Sequence, residues 1–244
     1  MKTMNNNAIQ IKNLVVEFPS QKGVVRALDG LNLTVKQGQV FGFLGPNGAG
    51  KTTTMHVLLG FIKAISGVAR IFDEDVLHSI ARQRIGYLPE HPDTYRFLTG
   101  RELLIMAGNL FLIRRKQLKH RVDELLKLVG LTDTADRRIT TYSRGMMQRI
   151  GLAQSLVNDP DLVILDEPTS GFDPLGRISI RHIITSLRDR GKTVFFSSHE
   201  LSEVELICDH IGIIADGRMI ADGTVEDLVK PDENLERYFL RVLS

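Results

Sequence analysis

Residues Gly45–Thr53 read GPNGAGKTT, and they follow the short apolar run VFGFL of Val40–Leu44. The segment after Lys51 has helical character. Together these fit G-x-x-x-x-G-K-S/T set between a strand and a helix, the pattern of a phosphate-binding loop. Its glycines let successive backbone N–H groups turn inward around phosphates, and the helix N-terminus adds a favourable dipole. The pattern assigns Gly45, Pro46, Asn47, Gly48, Ala49, Gly50, Lys51, Thr52 and Thr53 to a nucleotide. Lys51 supplies a compact positive charge for the β and γ phosphates, and Thr52 a hydroxyl for Mg²⁺. The bland alternative, a glycine-rich turn with a chance lysine, has no use for such flanks.

Further along, LVILDEP at Leu162–Pro168 reads as a buried strand delivering two acids. Asp166 is the expected Mg²⁺ contact, direct or through water. Glu167 stands where an attacking water needs a base, a role that contributes on the order of 10²–10⁴ in rate. An ordinary strand end with an acidic turn is the plain alternative, and it loses force beside the loop at Gly45.

Around these two stretches the chain organises itself. Ile9–Phe18 and Val24–Val35 read as strands, the second with period two at Leu31, Leu33 and Val35. Val68–Phe72 reads as another. From His91 to about Tyr142 the pattern is helical. Thr99-Gly-Arg-Glu102 fits a capping box before a stripe of Leu103, Met106, Leu110 and Ile113. Leu118, Val122, Leu125 and Val129 mark a second amphipathic helix before Gly130. After LVILD come a helix opened by Asp173-Pro174 and ending at Gly191, the strand TVFFSS, and a helix over HELSEVELICD. IGIIADGRMIADG reads as a hairpin turning on Asp216-Gly217. In the tail, Leu235, Tyr238, Phe239 and Val242 share one helical stripe. The predicted class is α/β: a P-loop (RecA-like) core sheet with an N-terminal antiparallel β subdomain and an inserted helical subdomain. Residues 1–90 and 143–244 form the core with its β subdomain, and 91–142 the insertion.

Composition narrows the classes. Hydrophobic residues make up 43% and charged residues 25% of 244, the balance of a globular protein. A net charge of +2 gives no reason to expect nucleic acid or an anionic surface as partner. The single Cys208 forms no internal disulfide, in keeping with a reducing compartment. MKTMNNNAIQIKN at the N-terminus has no signal-peptide apolar run, which gives the expectation of a cytoplasmic chain. Leu103–Ile113 is well short of the roughly 20 residues that span a bilayer, so a membrane role has to pass through a partner.

GPNGAGKTT, GYLPE, YSRGMMQR, LVILDEP, SGFD and SSHE, in this order and spacing, resemble the nucleotide-binding subunit of an ATP-binding cassette (ABC) transporter over nearly the whole chain. The resemblance implies an ATPase that binds ATP with Mg²⁺ and drives a separate multi-span membrane permease. It places the chain peripherally on the inner face of the cell membrane. YSRGMMQR matches the family's signature, which closes over the nucleotide of a second subunit. Ser143 and Gly145 are then expected to meet the γ-phosphate in trans, in a head-to-tail pair that is a homodimer in the simplest case. Tyr142, Arg144 and Met146 replace the leucine, first glycine and glutamine of the consensus LSGGQ. Glu90 stands where many members have glutamine and is carried over as a metal or water contact; a solvated acid is the alternative. His199 matches the switch histidine that bonds the γ-phosphate. Asp173 matches the loop joining the subunits, and Phe18 the aromatic ring that stacks on adenine or else packs in the core. Tyr95, Phe97 and Leu98 fall where the family docks a helix of its permease, or they belong to the helical core. GYLPEHP and the short C-terminal tail lean toward export. A soluble ABC ATPase of DNA repair or translation is the second reading, without the tandem cassettes or basic arms usual there. A kinase or GTPase is the third, without an N-K-x-D motif.

Overall fold

The computed structural model describes residues 6–21, 23–230 and 232–243. β1 (Asn7–Ser20) and β2 (Gly23–Lys36) pair antiparallel as a long ribbon, with register shifts near Leu14. β3 (Val40–Leu44) leads through the glycine loop into α1 (Lys51–Leu58). β4 (Ser66–Ile71) and β5 (Glu74–Asp75) complete a four-stranded sheet of order β2-β1-β4-β5. Next come α2 (Ser79–Gln83) and β6 (Ile85–Leu88), then α3 (Gly100–Leu110), α4 (Arg115–Leu128) and α5 (Arg144–Ser155). The remainder alternates: β7 (Leu162–Leu165), α6 (Pro174–Asp189), β8 (Thr193–Ser198), α7 (Leu201–Ile207), β9 (His210–Ala215). β10 (Arg218–Gly223), α8 (Val225–Leu228) and α9 (Leu235–Leu243) close the described chain.

The second sheet has order β10-β9-β3-β8-β7-β6, parallel except for β10 at its edge. Its central strands are buried along their whole length, which is why they read as unbroken apolar runs. Alternate side chains nevertheless part company. Val40, Leu44, Val163, Leu165, Val194 and Phe196 join the core of α3–α7 on one face. Phe41, Phe43, Leu162, Ile164 and Phe195 join α1 and the antiparallel sheet on the other. Every loop that matters leaves the carboxyl ends of β3, β6, β7 and β8, where parallel α/β sheets hold ligands.

Several expectations hold in detail. Thr99 and Glu102 make both bonds of the capping box, and Leu118, Val122, Leu125 and Val129 are all buried. Leu235 and Tyr238 of α9 are buried, with Phe239 and Val242 packed against the same core. Others need correction. The α3 stripe holds in part: Leu103 is buried and Met106 and Ile113 pack against the same core, but the buried face also takes in Leu104 and Ala107, and Leu110 is 79% exposed. LLIMA offers apolar residues all round the helix, so periodicity could not choose a side. The helices begin only at Gly100, because residues 91–98 form an irregular segment around Pro92. β6 and α2 had no sequence assignment. Among the described residues no helix is long and apolar enough to cross a membrane.

The β9–β10 hairpin turns at Asp216 and Gly217, with φ of 47° and 74°, the two left-handed residues of a type I′ turn. Gly217 donates its N–H to the carbonyl of Ala49 at 3.0 Å and accepts from the N–H of Asp29 at 3.0 Å. A Cβ there would lie 2.7 Å from the Ala27 carbonyl oxygen. The hairpin tip therefore braces the glycine loop against β2.

Candidate functional site: two half-sites on one chain

The glycine loop passes from β3 into α1 through Gly50, whose φ of 110° and near contact with the Ala27 carbonyl (2.8 Å from an added Cβ) admit no side chain. Lys51 folds back so that Nζ donates to the carbonyls of Gly45 at 2.6 Å and Pro46 at 3.2 Å. It is nearly buried. Burial pulls the ammonium pKa below its ordinary value, and the carboxylates of Glu167, Asp166 and Glu90 oppose that shift. Among the described residues no carboxylate pairs with Lys51 within ion-pair distance. Its charge is held by the two loop carbonyls at the cavity wall.

Across the cavity, the backbone N–H of Asp166 donates to Leu88 at 2.8 Å, extending the β6–β7 pairing by one residue. Its carboxylate is divided between two hydroxyls: Thr52 Oγ1 donates to Oδ2 at 3.1 Å and Ser197 Oγ to Oδ1 at 2.6 Å. Ser197 also accepts the backbone N–H of Glu167 at 2.9 Å, so one side chain fixes both acids. Glu167 has φ of 50°, a left-handed conformation that costs a non-glycine residue on the order of 1–3 kcal/mol. Its Oε2 meets His199 Nδ1 at 2.7 Å and accepts the His199 N–H at 3.3 Å. Glu90 stands half-exposed on the rim, 3.7 Å from Nε2 of His91.

Asn47, Gly48, Gly50, Lys51, Thr52, Thr53, Glu90, Asp166, Glu167 and His199 thus share one cavity of about 380 Å³. Gly45, Pro46 and Ala49 form its frame, turning carbonyls to Lys51 or to the Gly217 hairpin. Phe18 lies near the end of β1, 37% exposed and outside the cavity lining. Sequence reasoning missed Ser197. The SSHE stretch was the available signal, but nothing in it ranks one serine above the other.

The cavity fits Mg²⁺. In an octahedral shell at about 2.1 Å, neighbouring ligand oxygens stand about 3.0 Å apart, close to the 3.1 Å between Thr52 Oγ1 and Asp166 Oδ2. Among the described residues no group of three His, Cys, Asp or Glu could hold a metal by protein ligands alone.

Ser143, Gly145 and Asp173 lie elsewhere. They line a second cavity of about 450 Å³. Ser143 Oγ accepts the Met146 N–H at 3.3 Å and caps α5; Asp173 Oδ1 accepts the Gly176 N–H at 2.7 Å and caps α6. Buried Phe172 packs beside Gly145. Arg144 turns away from this cavity toward Ser170, its Nη2 3.5 Å from the hydroxyl oxygen.

A glycine loop between a buried strand and a helix, with a lysine inside it and an acid at the end of a parallel strand two places away in the same sheet, defines a P-loop nucleotide-binding protein. The ABC transporter family model matches residues 28–170, more than half of the chain. An ABC transporter ATP-binding protein of Nostoc sp. without assigned function is 49% identical over 84% of this chain. The chain spans 62% of that relative's length. The bacitracin transport ATP-binding protein BcrA of Bacillus licheniformis is 43% identical over 91% of this chain and 71% of its own. Among solved structures, an ATP-binding subunit of an ABC transporter superposes with a TM-score of 0.88 at 25% identity, covering 97% of this chain and all of the other. The chain belongs to the ABC transporter family.

Proposed function

We propose that the chain binds ATP with Mg²⁺ in the first cavity and hydrolyses it as one of two copies packed head to tail, driving a separate membrane permease. The carrying observation is the division of labour. The first cavity has cation, hydroxyl, acids and base. The second has a helix terminus and small residues suited to phosphate, and its ionisable side chains are tied to backbone, Arg149 to the carbonyls of Gly145 and Val129 and Asp173 to the Gly176 N–H. Two copies facing each other bring one of each to the same nucleotide.

In this reading the N–H groups of Gly48–Thr53 and Lys51 Nζ hold the β and γ phosphates. Thr52 and Asp166 hold Mg²⁺, with Glu90 reaching it or its water. When bound, the ion supplies Lewis-acid charge on the phosphoryl oxygens. Glu167, with Oε2 committed to His199, accepts a proton from water on its other oxygen as the water attacks the γ-phosphorus and the bond to the β-phosphate oxygen breaks. His199 can hold a carboxylate and a phosphate oxygen together only with both ring nitrogens donating. Ser143 and Gly145 of the second copy close on the γ-phosphate, with Asp173 at the junction. Phe18, exposed on the ribbon, offers adenine a π face without reading its edges.

Residues 91–142 act as a helical subdomain, the remainder as the core. Tyr95 and Phe97, 55% and 69% exposed and in edge contact, are the docking point for the permease. Leu98 instead packs on the core. The transport name of the Bacillus relative favours this reading over a soluble ATPase of repair or translation, and the sequence pattern leans it toward export. The nucleotide chemistry is tested with Glu167→Gln: size-exclusion chromatography with Mg-ATP is expected to show a dimer, without ATP a monomer. Purification of the same variant from detergent-solubilised membranes is expected to bring a stoichiometric multi-span protein. Recovery of ribosomal or nucleic-acid factors instead rejects the transport role.

A further inference from the structure

We propose that Arg177 is a positioning residue that ties the Gly171–Asp173 loop to the His199–Glu200 turn, and so holds His199 on Glu167. The proposal rests on the reading of Glu167 and His199 as hydrolytic. Arg177 lies in the first turn of α6, and its guanidinium is forked. Nε donates to the Phe172 carbonyl at 3.3 Å, and Nη1 pairs with the carboxylate of Glu200. Glu200 in turn fixes the histidine from behind: its N–H donates to Ser198 Oγ at 2.9 Å, pinning both neighbours of His199. The result is a continuous chain of contacts, Phe172 to Arg177 to Glu200, then across one peptide to His199 and Glu167. Phe172 packs on Gly145 and precedes Asp173, so it belongs to the second half-site. Arg177 therefore links the half-site that meets another copy to the base of its own cavity. Only a planar fork holds two acceptors at a fixed angle; a lysine ammonium does not do so.

A merely structural ion pair between the same two helices already exists one turn further on. Arg181 Nε lies 3.3 Å from Oε2 of buried Glu203, out of line for a hydrogen bond and touching neither loop. It serves as the control. Mg-ATP hydrolysis and thermal melting are measured on the full chain and on Arg177→Met, Arg177→Lys, Glu200→Gln, Arg177→Met with Glu200→Gln, and Arg181→Met. Arg177→Met is expected to lower kcat about 10-fold while the ATP KM moves less than about 2-fold, the mark of an interaction spent on the transition state. Glu200→Gln lowers kcat likewise, the double variant is no slower than the worse single one, and Arg177→Lys recovers kcat only in part. Arg181→Met melts at least as early as Arg177→Met yet keeps kcat within about 2-fold of the unaltered chain. Equal kcat in Arg177→Met and Arg181→Met, or a change confined to KM, overturns the proposal. Glu200→Gln and Arg177→Lys carry the test where Arg177→Met does not fold. An unaltered chain that binds ATP without hydrolysing it overturns the hydrolytic reading first, and is seen before any variant is compared.

Discussion

The two half-sites both stand at helix N-termini, those of α1 and α5, yet they are built on opposite principles. The first is recessed and charged: Lys51, Asp166 and Glu167 are each less than 10% exposed. Their hydrogen bonds are internal. In the second, Ser143 caps α5 through Met146, Asp173 caps α6 through Gly176, and Arg149 donates to the carbonyls of Gly145 and Val129. A helix terminus alone can attract a phosphate. Only the buried cluster can move a proton. On the proposed function, the contrast makes the first cavity the reactor and the second a clamp that acts on another copy's nucleotide.

Glu167→Gln tests the contrast most severely. The reactor without its base is expected to lose on the order of 10²–10⁴ in kcat while still collecting ATP, measured by single-turnover release of phosphate. Ser143→Arg addresses the other side. It is expected to abolish ATP-dependent dimerisation, read by analytical ultracentrifugation, while nucleotide affinity of the single chain changes by less than about 3-fold, since distant sites act independently. If that variant dimerises normally, the clamp has been misassigned.

Lys51→Met separates binding from stability. Loss of a charged hydrogen bond to phosphate is expected to weaken nucleotide binding by roughly 10- to 100-fold in isothermal titration. The folded protein disfavours the ammonium, because burial lowers its pKa below 10.5. That penalty is complete at neutral pH and is relieved only as pH rises toward 10.5, where the unfolded chain also loses its proton. The nucleotide-free variant is therefore expected to melt no earlier than the unaltered chain at pH 7. Asp173→Ala gives the smallest effect, about 1 kcal/mol of stability from a lost helix cap, visible in urea denaturation.

The same contrast decides what sequence alone could convey. Most of the first cavity was legible because its parts are local: a strand, a glycine loop and a helix in one stretch, and two acids ending an apolar run. Chemistry of that kind constrains neighbours in sequence. Glu90 and His199 came only through the family resemblance. Ser197 escaped because its value lies in touching Asp166 and Glu167, which are 31 and 30 residues away. The link from Arg177 to Glu200 spans 23 residues and was invisible for the same reason. The clamp was readable only through family resemblance, since a serine before a helix is a cap wherever it occurs. Part of the face of α3 escaped for another reason, too many apolar residues rather than too few.

The brace at Gly217 has a kinetic consequence. A glycine-rich loop left to itself samples many shapes, and a ligand arriving from solution would have to wait for the right one. Here the Ala49 carbonyl is tethered to a hairpin whose own turn is fixed by two left-handed residues. On the proposed function, a loop held in this way is expected to keep its outline between turnovers, so that nucleotide capture is governed by encounter rather than by rearrangement. A bulkier residue at position 217 would slow the association rate before it altered any group that touches the nucleotide.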